Sequence, residues 1–401
     1  MTEWTQYKAD PHNSGLRRDL GGPARVAEAW TVDLVGPPGS PVLDRDTVYV
    51  GTTRGNCYAL ERETGRRRWV FETQRATDAT PVVTRERLYL GTGDGAVYAL
   101  DPATGDERWQ VELPDSLASA LALSAGRLYA GHAAGLSALE AETGTELWTH
   151  ETESAVVGCP AIADGREGEQ RRSGLDEGDG VPLESMEPSL LEAERVQEPD
   201  RRWGANEERV FAGTTAGTVL ALAAETGEEA WTAPATGSIA GGPTIADGRV
   251  YVGDEGGTML ALDAGTGQTW FTYEIGDGFT TSATVLAAAE TTFVGAEDGY
   301  LHVTDTTVGR RKLRGWLFSR KGVELDGPIR SCPVVAGDVI CVGDASGSLY
   351  GIDADDPEPL WRFAADDAIR GTPALGAERL YVGSDDERLY CLEWDADEPR
   401  R

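Results

Sequence analysis

The sequence predicts an all-β protein, a single eight-bladed β-propeller built from four-stranded antiparallel blades. Three observations predict it. A unit of about 40 residues recurs along the chain, and each unit contains four short segments in which polar and apolar residues alternate. One further segment of this kind, near the N-terminus, belongs to no unit. A repeat of roughly 20–50 residues is typical of solenoids, propellers and arrays. A ring of stacked sheets buries both faces of each sheet and leaves only short edges, which favours the propeller.

The clearest copy of the unit is residues 80–113, TPVVTRERLYLGTGDGAVYALDPATGDERWQVEL. Its apolar residues alternate in four short runs, and Gly- and Asp-rich turn sequences separate the runs, as in an antiparallel meander. Pro81 and Trp109 have counterparts 40 residues earlier, at Pro41 and Trp69. Each unit is therefore predicted to form one blade.

The eighth unit is one strand short, and this predicts how the ring closes. The chain reaches Glu393 with only three strands of that unit, whereas residues 30–34, which include Trp30, form a strand with no unit of their own. Pairing these two parts removes the open edge. Residues 1–29 are a polar lead-in. The predicted blades begin near Pro41, Pro81, Leu121, Pro160, Pro243, Ala283, Pro333 and Pro373.

The fourth unit contains an insertion, residues 166–208, rich in Glu, Asp, Arg and Gly. Its composition predicts a disordered or loosely held loop at the first hairpin of the blade. Residues 189–197 begin with a capping-box pattern that predicts a short helix. The insertion is either a solvated loop or an element that docks a partner or acts as a lid.

A second pattern, A-x-D-x-x-T-G-x-x-x-W, spans the turn before the outer strand of most units. The small residue and the glycine leave room for a flat indole, and a buried indole supplies a large apolar area. Leu313 replaces the tryptophan in the sixth unit. The indoles predicted to dock in this way are Trp30, Trp69, Trp109, Trp148, Trp231, Trp270 and Trp361.

This pattern resembles the tryptophan-docking motif of PQQ-like, or quinoprotein-type, β-propeller repeats. The stretch WTQYKADPHNSG, residues 4–15, is similar to the lead-in of such chains. The superfamily includes quinoprotein alcohol dehydrogenases and the non-enzymatic BamB-type outer-membrane assembly lipoproteins. The resemblance therefore implies either a scaffold that binds a protein or small ligand, or an oxidoreductase that holds PQQ or another cofactor in the central funnel.

The absence of the enzymes' ligand set favours the non-catalytic scaffold. Those dehydrogenases bind PQQ with calcium through adjacent cysteines and a Glu/Asn/Asp set, and neither pattern is recognisable in this chain. We therefore predict no catalytic, cofactor-binding or metal-binding residue. The chain has five cysteines, an odd number, and no C-x-x-C motif. The cysteines therefore predict neither a disulfide framework nor a zinc site. Cys159 and Cys332, three units apart, are expected to pack as small apolar side chains.

By the same resemblance, residues just before each innermost strand face the funnel. Arg330 and Arg370 hold the same position in adjacent units, and two neighbouring guanidiniums can grip a carboxylate or phosphate. They are a candidate anion site, and a sensor of anionic metabolites is a third hypothesis. Alternatively, they pair with Asp326, Asp366 or Asp367. The other funnel positions are Asp78, Thr80, Cys159, Thr280, Ser282, Ser331, Cys332 and Thr372.

The net charge of −32 argues against a nucleic-acid partner, because phosphate backbones are bound by Lys and Arg clusters. Only Lys8, Lys312 and Lys321 are lysines among 36 cationic residues, a composition that resembles proteins of halophiles; the alternative is an ordinary acidic protein. The basic run at residues 310–316 is either a solvated turn or a contact for an anionic partner. No leader or transmembrane pattern is present, so we expect a cytoplasmic monomer, or a cell-surface protein if the true start lies upstream.

Overall fold

The computed structural model describes residues 3–77, 79–165, 203–204, 207–313 and 321–395. Eight antiparallel sheets form a ring, which confirms the predicted eight-bladed β-propeller. The helical content is minimal, with a single-turn 3-10 helix at Ala287–Ala289 among these residues. No helix in the described ranges is long and apolar enough to cross a membrane.

The first four blades each take four consecutive strands, and the innermost strand comes first in the chain. Blade one contains β3 (Val42–Leu43), β4 (Thr47–Gly51), β5 (Asn56–Glu61) and β6 (Arg67–Glu72). Blade two contains β7 (Val82–Val83), β8 (Leu88–Gly91), β9 (Ala96–Leu100) and β10 (Glu107–Glu112). Blade three contains β11 (Ala122–Ser124), β12 (Arg127–His132), β13 (Gly135–Glu140) and β14 (Glu146–Glu151). Blade four contains β15 (Val156–Asp164), β16 (Glu208–Thr214), β17 (Thr218–Ala223) and β18 (Glu229–Pro234).

The remaining blades follow the same order until the last one. Blade five contains β19 (Thr244–Ala246), β20 (Arg249–Gly253), β21 (Thr258–Asp263) and β22 (Thr269–Glu274). Blade six contains β23 (Thr284–Leu286), β24 (Thr291–Gly295), β25 (Tyr300–Asp305) and β26 (Gly322–Glu324). Blade seven contains β27 (Val334–Ala336), β28 (Val339–Gly343), β29 (Ser348–Asp353) and β30 (Pro359–Ala364). Blade eight contains β31 (Ala374–Leu375), β32 (Arg379–Ser384) and β33 (Arg388–Glu393).

An N-terminal strand, β2 (Ala27–Asp33), completes blade eight as its outermost strand. It pairs antiparallel with β33, and Trp30 lies opposite Cys391. The predicted closure of the ring is therefore confirmed, although the strand begins three residues before the predicted residues 30–34.

Blade seven departs from the four-stranded expectation because it carries a fifth strand, β1 (Leu16–Arg17). This strand lies on the channel side of β27 and runs parallel to it, with Leu16 opposite Val335. The lead-in thus joins a sheet before the chain reaches β2, which the sequence pattern did not predict.

Most of the insertion at residues 166–208 lies outside the described residues, as do residues 189–197, Asp78 and residues 314–320. At its C-terminal end, the ring of Trp203 packs edge-on against Phe211, with centroids 6.0 Å apart. The guanidinium carbon of Arg209 stands 5.1 Å from the centroid of Trp203. The insertion therefore returns to the fold against β16 of blade four, close to the turn at Gly265 in blade five.

In six of the eight blades, an aromatic ring of the outer strand lies against a glycine in the turn of the next blade. Each of these glycines has a positive φ, and a Cβ there would stand under 3 Å from ring carbons. The absence of a side chain is therefore what admits the ring. The observed pairs are Trp30 with Gly65, Trp69 with Gly105, Trp109 with Gly144, Trp148 with Gly227, Trp231 with Gly267, and Phe271 with Gly309.

The assignment of Trp270 to this set is wrong, because Phe271 takes the position. Phe271 lies opposite Ala261 in the sheet and is 7% exposed, whereas Trp270 is 52% exposed. The indole of Trp270 instead covers the guanidinium of Arg249, at 4.2 Å from ring centroid to Cζ. Its Nε1 donates to the carbonyl of Thr307 in the next blade at 2.8 Å.

The other members of the series differ mainly in what their indole N–H contacts. Trp361 donates to the carbonyl of Pro23 at 2.8 Å, because the lead-in supplies the outer turn of blade eight. Leu313, which replaces tryptophan in blade six, is partly buried against a cluster that includes Ile352 and Ala354. The turn it faces carries Pro357 where other blades have glycine, so the ring and the glycine are lost together.

Candidate functional site

The lead-in passes through the channel and covers the inner edges of the blades. The innermost strands would otherwise present unpaired N–H groups, which are costly when buried. In six blades, the backbone N–H at the same position of the innermost strand, two residues after the start of the unit, donates a hydrogen bond to this segment. The bonds run from Leu43 to the Trp4 carbonyl, Val83 to the Thr5 carbonyl, Leu123 to the Gln6 side-chain oxygen, Ile162 to the Pro11 carbonyl, Ile245 to the His12 carbonyl and Val335 to the Gly15 carbonyl.

The two remaining blades contact the lead-in through its cationic side chains. Lys8, fully buried, donates from Nζ to the carbonyl of Ala283 and to Oγ1 of Thr284 in blade six, the latter at 2.9 Å. Arg17, which is 4% exposed, donates to the carbonyl of Leu375 in blade eight at 3.3 Å. The lead-in therefore contacts all eight blades.

Asn13 joins two neighbouring blades on the channel side. Its side-chain nitrogen donates to the carbonyl of Cys159 in blade four at 3.0 Å and to that of Pro243 in blade five at 2.9 Å. The residue is 1% exposed and has a φ of 56°, a left-handed conformation that asparagine tolerates better than most residues. Lys8 and Ala9 also have positive φ, so the segment is irregular throughout.

Tyr7 brings together two of the predicted funnel residues. Its hydroxyl lies 2.9 Å from Oγ of Ser282 and 2.9 Å from Sγ of Cys332. The backbone N–H of Ser282 also donates to that sulfur at 3.3 Å. Burial is the main cause that raises the pKa of Tyr7 well above its ordinary value, and the neighbouring Cys332 adds to the rise. The phenol therefore remains protonated at neutral pH and can donate its one hydrogen to either neighbour.

Two titratable groups near the channel, Lys8 and Cys159, are enclosed by the protein. Burial raises the pKa of the Cys159 thiol, so it is not the thiolate that acts as a nucleophile. Burial lowers the pKa of Lys8 to about 8, but its ammonium is enclosed and already engaged in hydrogen bonds. All five cysteines are free and buried. These groups are arranged for packing and hydrogen bonding.

Arg330 and Arg370 are each paired with a carboxylate. Arg330 Nη2 lies 2.6 Å from Glu297, and Arg370 Nε lies 2.6 Å from Asp385. Both acids occupy the second position after a glycine, Gly295 or Gly383, in a hairpin turn. The two arginines therefore do pair with acids, as the alternative in the sequence analysis expected, but the acids are Glu297 and Asp385 and not the aspartates named there. The anion site at these two arginines stays a prediction.

The acids named in that alternative have different partners. Asp326 pairs with Arg362 at 2.7 Å, and Asp366 pairs with Arg388 at 2.7 Å. Asp367 accepts the backbone N–H of Ala368 at 2.7 Å.

The remaining funnel positions are uncharged and mostly buried. Thr280 donates to the carbonyl of Ile329 at 2.5 Å, and the N–H of Thr372 donates to Ser40. Thr80 is 5% exposed. Ser331 Oγ is buried and has no hydrogen-bond partner within the described ranges. These positions therefore line the inner ends of the blades without a cluster of charge.

Calcium bound with PQQ would need a cluster of ligand side chains. Among the described residues, no group of three or more His, Cys, Asp or Glu side chains is placed to hold a metal ion. The centre of the channel is occupied by Tyr7, Lys8 and Asn13, which belong to the chain itself. These residues do not fit a calcium-bound quinone.

A family model described as "Outer membrane protein assembly factor BamB", of the PQQ-like repeat type, matches residues 23–120, 93–183 and 189–398. The chain belongs to the PQQ-like β-propeller family. No match was found among curated protein sequences.

Solved structures similar to this chain include a BamB protein and two dehydrogenases. BamB from Moraxella catarrhalis is 19% identical, covers 94% of this chain and 99% of its own, and has a TM-score of 0.68. Quinohemoprotein alcohol dehydrogenase from Comamonas testosteroni is 14% identical and covers 100% and 82%, with a TM-score of 0.69. A europium-containing methanol dehydrogenase is 15% identical and covers 98% of each chain, with a TM-score of 0.70. At these identities the likeness shows the shared fold alone.

Proposed function

We propose that this PQQ-like propeller is a non-catalytic binding protein, a scaffold for a protein or small-ligand partner. The observation that carries the proposal is the lead-in, which fills the channel and bonds to every blade. A cofactor in the central funnel would compete with Tyr7 and its contacts to Ser282 and Cys332. The family's description names an assembly factor, which is also a binding role.

The enclosure of the channel groups supports the same proposal. An enzyme places a nucleophile, base or metal where substrate can reach it. Here the Lys8 ammonium and the Cys159 thiol are buried, and burial raises the pKa of the Cys159 thiol, which disfavours the nucleophilic thiolate. Binding through the rim or the turns requires none of these groups.

A titration with PQQ and calcium tests the proposal. We expect no alcohol-dependent reduction of an artificial electron acceptor by the chain in their presence. Calcium-dependent PQQ binding together with such turnover would overturn the proposal and establish the oxidoreductase. Recovery of the full chain from the cells that produce it, compared with a version lacking residues 166–208, should give a bound component in fixed proportion. A chain recovered alone in both cases counts against a scaffold.

A further inference from the structure

A cavity of about 460 Å³ lies where the lead-in meets blades one, two and eight. Four arginines line it: Arg17, Arg45, Arg62 and Arg85. Glu3 is the one acidic side chain among the described residues that line it. A protein with a net charge of −32 therefore concentrates positive charge at one mouth of its channel.

Three of these guanidiniums lack close neutralising carboxylates. Arg45 is 78% exposed, and its Nε lies 3.9 Å from Glu3, at the limit of an ion pair. Within the described part of the chain, neither Arg62 nor Arg85 forms an ion pair with a carboxylate. Arg330 and Arg370 differ, because each contacts an acid at 2.6 Å.

Arg62 is held in place before any ligand arrives. Its Nη1 donates to the carbonyls of Asp44 and Arg45, at 2.9 and 3.2 Å. Its guanidinium carbon stands 5.7 Å from the ring centroid of Tyr381, and its Nη2 lies against Gly376, where a Cβ would come within 2.6 Å. A fixed guanidinium loses little entropy on binding an anion.

The floor of the cavity is also rigid and partly apolar. Arg17 is 4% exposed and binds both oxygens of Asp19 at 2.8 Å. Trp4, Leu43 and Leu375 lie next to it and are almost completely buried, so they support the cavity from below. Cavities of roughly 300–1,000 Å³ that combine apolar walls with a few charged groups are typical of small-molecule sites.

We propose that this channel mouth binds a small organic anion, an apolar body that carries phosphate or carboxylate groups. Guanidiniums bind both groups through paired N–H donors. The cavity is larger than a phosphate ion needs, so it leaves room for an organic body beside the charged group. This proposal deepens the binding function proposed above and rests on it.

Calorimetric titration of the full chain at constant ionic strength tests it, with phenyl phosphate, phthalate and inorganic phosphate as probes. The test variant is the double substitution Arg45→Gln and Arg85→Gln, since both side chains are exposed. The matched control is Arg330→Gln and Arg370→Gln, which removes the same charge elsewhere. We expect saturable binding of phenyl phosphate or phthalate by the parent and the control, and at least about tenfold weaker binding by the test variant.

Three outcomes would overturn the proposal: no saturable binding of any probe by the parent, equal weakening in both variants, or an acidic peptide that binds where the small anions do not. Arg62→Gln, with its fold checked by circular dichroism, gives a second reading of the same site. Phenyl phosphate and phthalate distinguish phosphate from carboxylate selectivity, and inorganic phosphate shows what the apolar body adds. If no small anion binds and the chain also shows no PQQ-dependent turnover, the anion site is wrong but the proposed non-catalytic function is retained.

Discussion

The indole of Trp69 lies flat against Gly105 of the next blade, so closely that a Cβ at Gly105 would stand 2.8 Å from two ring carbons. Gly105→Ala should therefore destabilise the protein by about 2–4 kcal/mol, from the left-handed backbone and the clash with the ring. Gly126→Ala is the matched control, because its φ of +77° equals that of Gly105 within a degree, but nothing lies within 4 Å of its Cβ.

Denaturant unfolding of the two variants measures the difference. The control should lose only about 1 kcal/mol, the cost of the backbone conformation. Equal losses would show that the indole contributes nothing at this contact.

Replacing Phe271 by alanine should cost more stability than replacing Trp270, although tryptophan is the larger residue. Phe271 is 7% exposed and lies against Gly309, so Phe271→Ala should cost about 3–5 kcal/mol. Trp270→Ala removes a half-exposed ring and its contact with Arg249, which should cost about 1 kcal/mol. Urea midpoints decide this, and a greater loss for Trp270→Ala would restore the original assignment.

The error over Trp270 shows what the sequence pattern can establish. In blade five, tryptophan follows the turn glycine Gly267 after three positions instead of the usual four. The sequence pattern therefore selected Trp270 because it is a tryptophan, although Phe271 has the usual spacing. The structure keeps the spacing instead, because Phe271 follows Gly267 by the same four positions that separate Trp109 from Gly105. Strand register decides which side chain faces inward, whatever its size.

The path of the lead-in was not predictable by the same means. The 40-residue period gave the blades and the closing strand because each unit repeats the same turn chemistry. Residues 3–17 have no second copy, and positive φ at Lys8, Ala9 and Asn13 follows no short-range signal. The partners of Arg330 and Arg370 were missed for a related reason, since an ion pair across a turn depends on tertiary distance.

Asn13→Ala tests whether the lead-in holds neighbouring blades together. The substitution removes two hydrogen bonds between blades four and five and places alanine at a φ of 56°. A loss of about 2 kcal/mol or more is expected. Asn56→Ala is the control, because that amide makes one long bond of 3.4 Å to Val35 and should change stability by under about 0.5 kcal/mol.

Hydrogen exchange gives a local readout of the same variant. The amides of Ile162 and Ile245, which donate to Pro11 and His12, should exchange faster in Asn13→Ala. Unchanged exchange there would mean that the lead-in stays docked without Asn13.

Salt should stabilise this protein because its acidic side chains repel one another. The Debye length falls from about 10 Å at 0.1 M salt to about 3 Å at 1 M, which screens the self-repulsion of a net charge of −32. The melting temperature should rise with KCl at neutral pH, and the rise should shrink as the pH approaches the calculated isoelectric point of about 4.4. A flat response at neutral pH would contradict the halophile-type interpretation of the composition.

Lys8 should make stability depend on pH in the alkaline range. Burial lowers its pKa to about 8, whereas an unfolded lysine has a pKa of about 10.4. The unfolded chain therefore binds more protons between these values, so this group's contribution to stability rises as the pH rises from 8 towards 10. The full difference amounts to about 3 kcal/mol.

Comparison with Lys8→Met isolates this contribution, because buried cysteines act in the opposite direction. Burial raises the pKa of Cys57 to about 12, so cysteines of this kind lose stability over the same range, equally in both proteins. Urea unfolding at a series of pH values measures the free energy of unfolding of both proteins. As the pH rises, the parent should gain stability relative to Lys8→Met. Lys321→Met, at a lysine that is 55% exposed, is the matched control outside the channel. If Lys8→Met matches Lys321→Met in this respect, the ammonium of Lys8 is not enclosed in the channel.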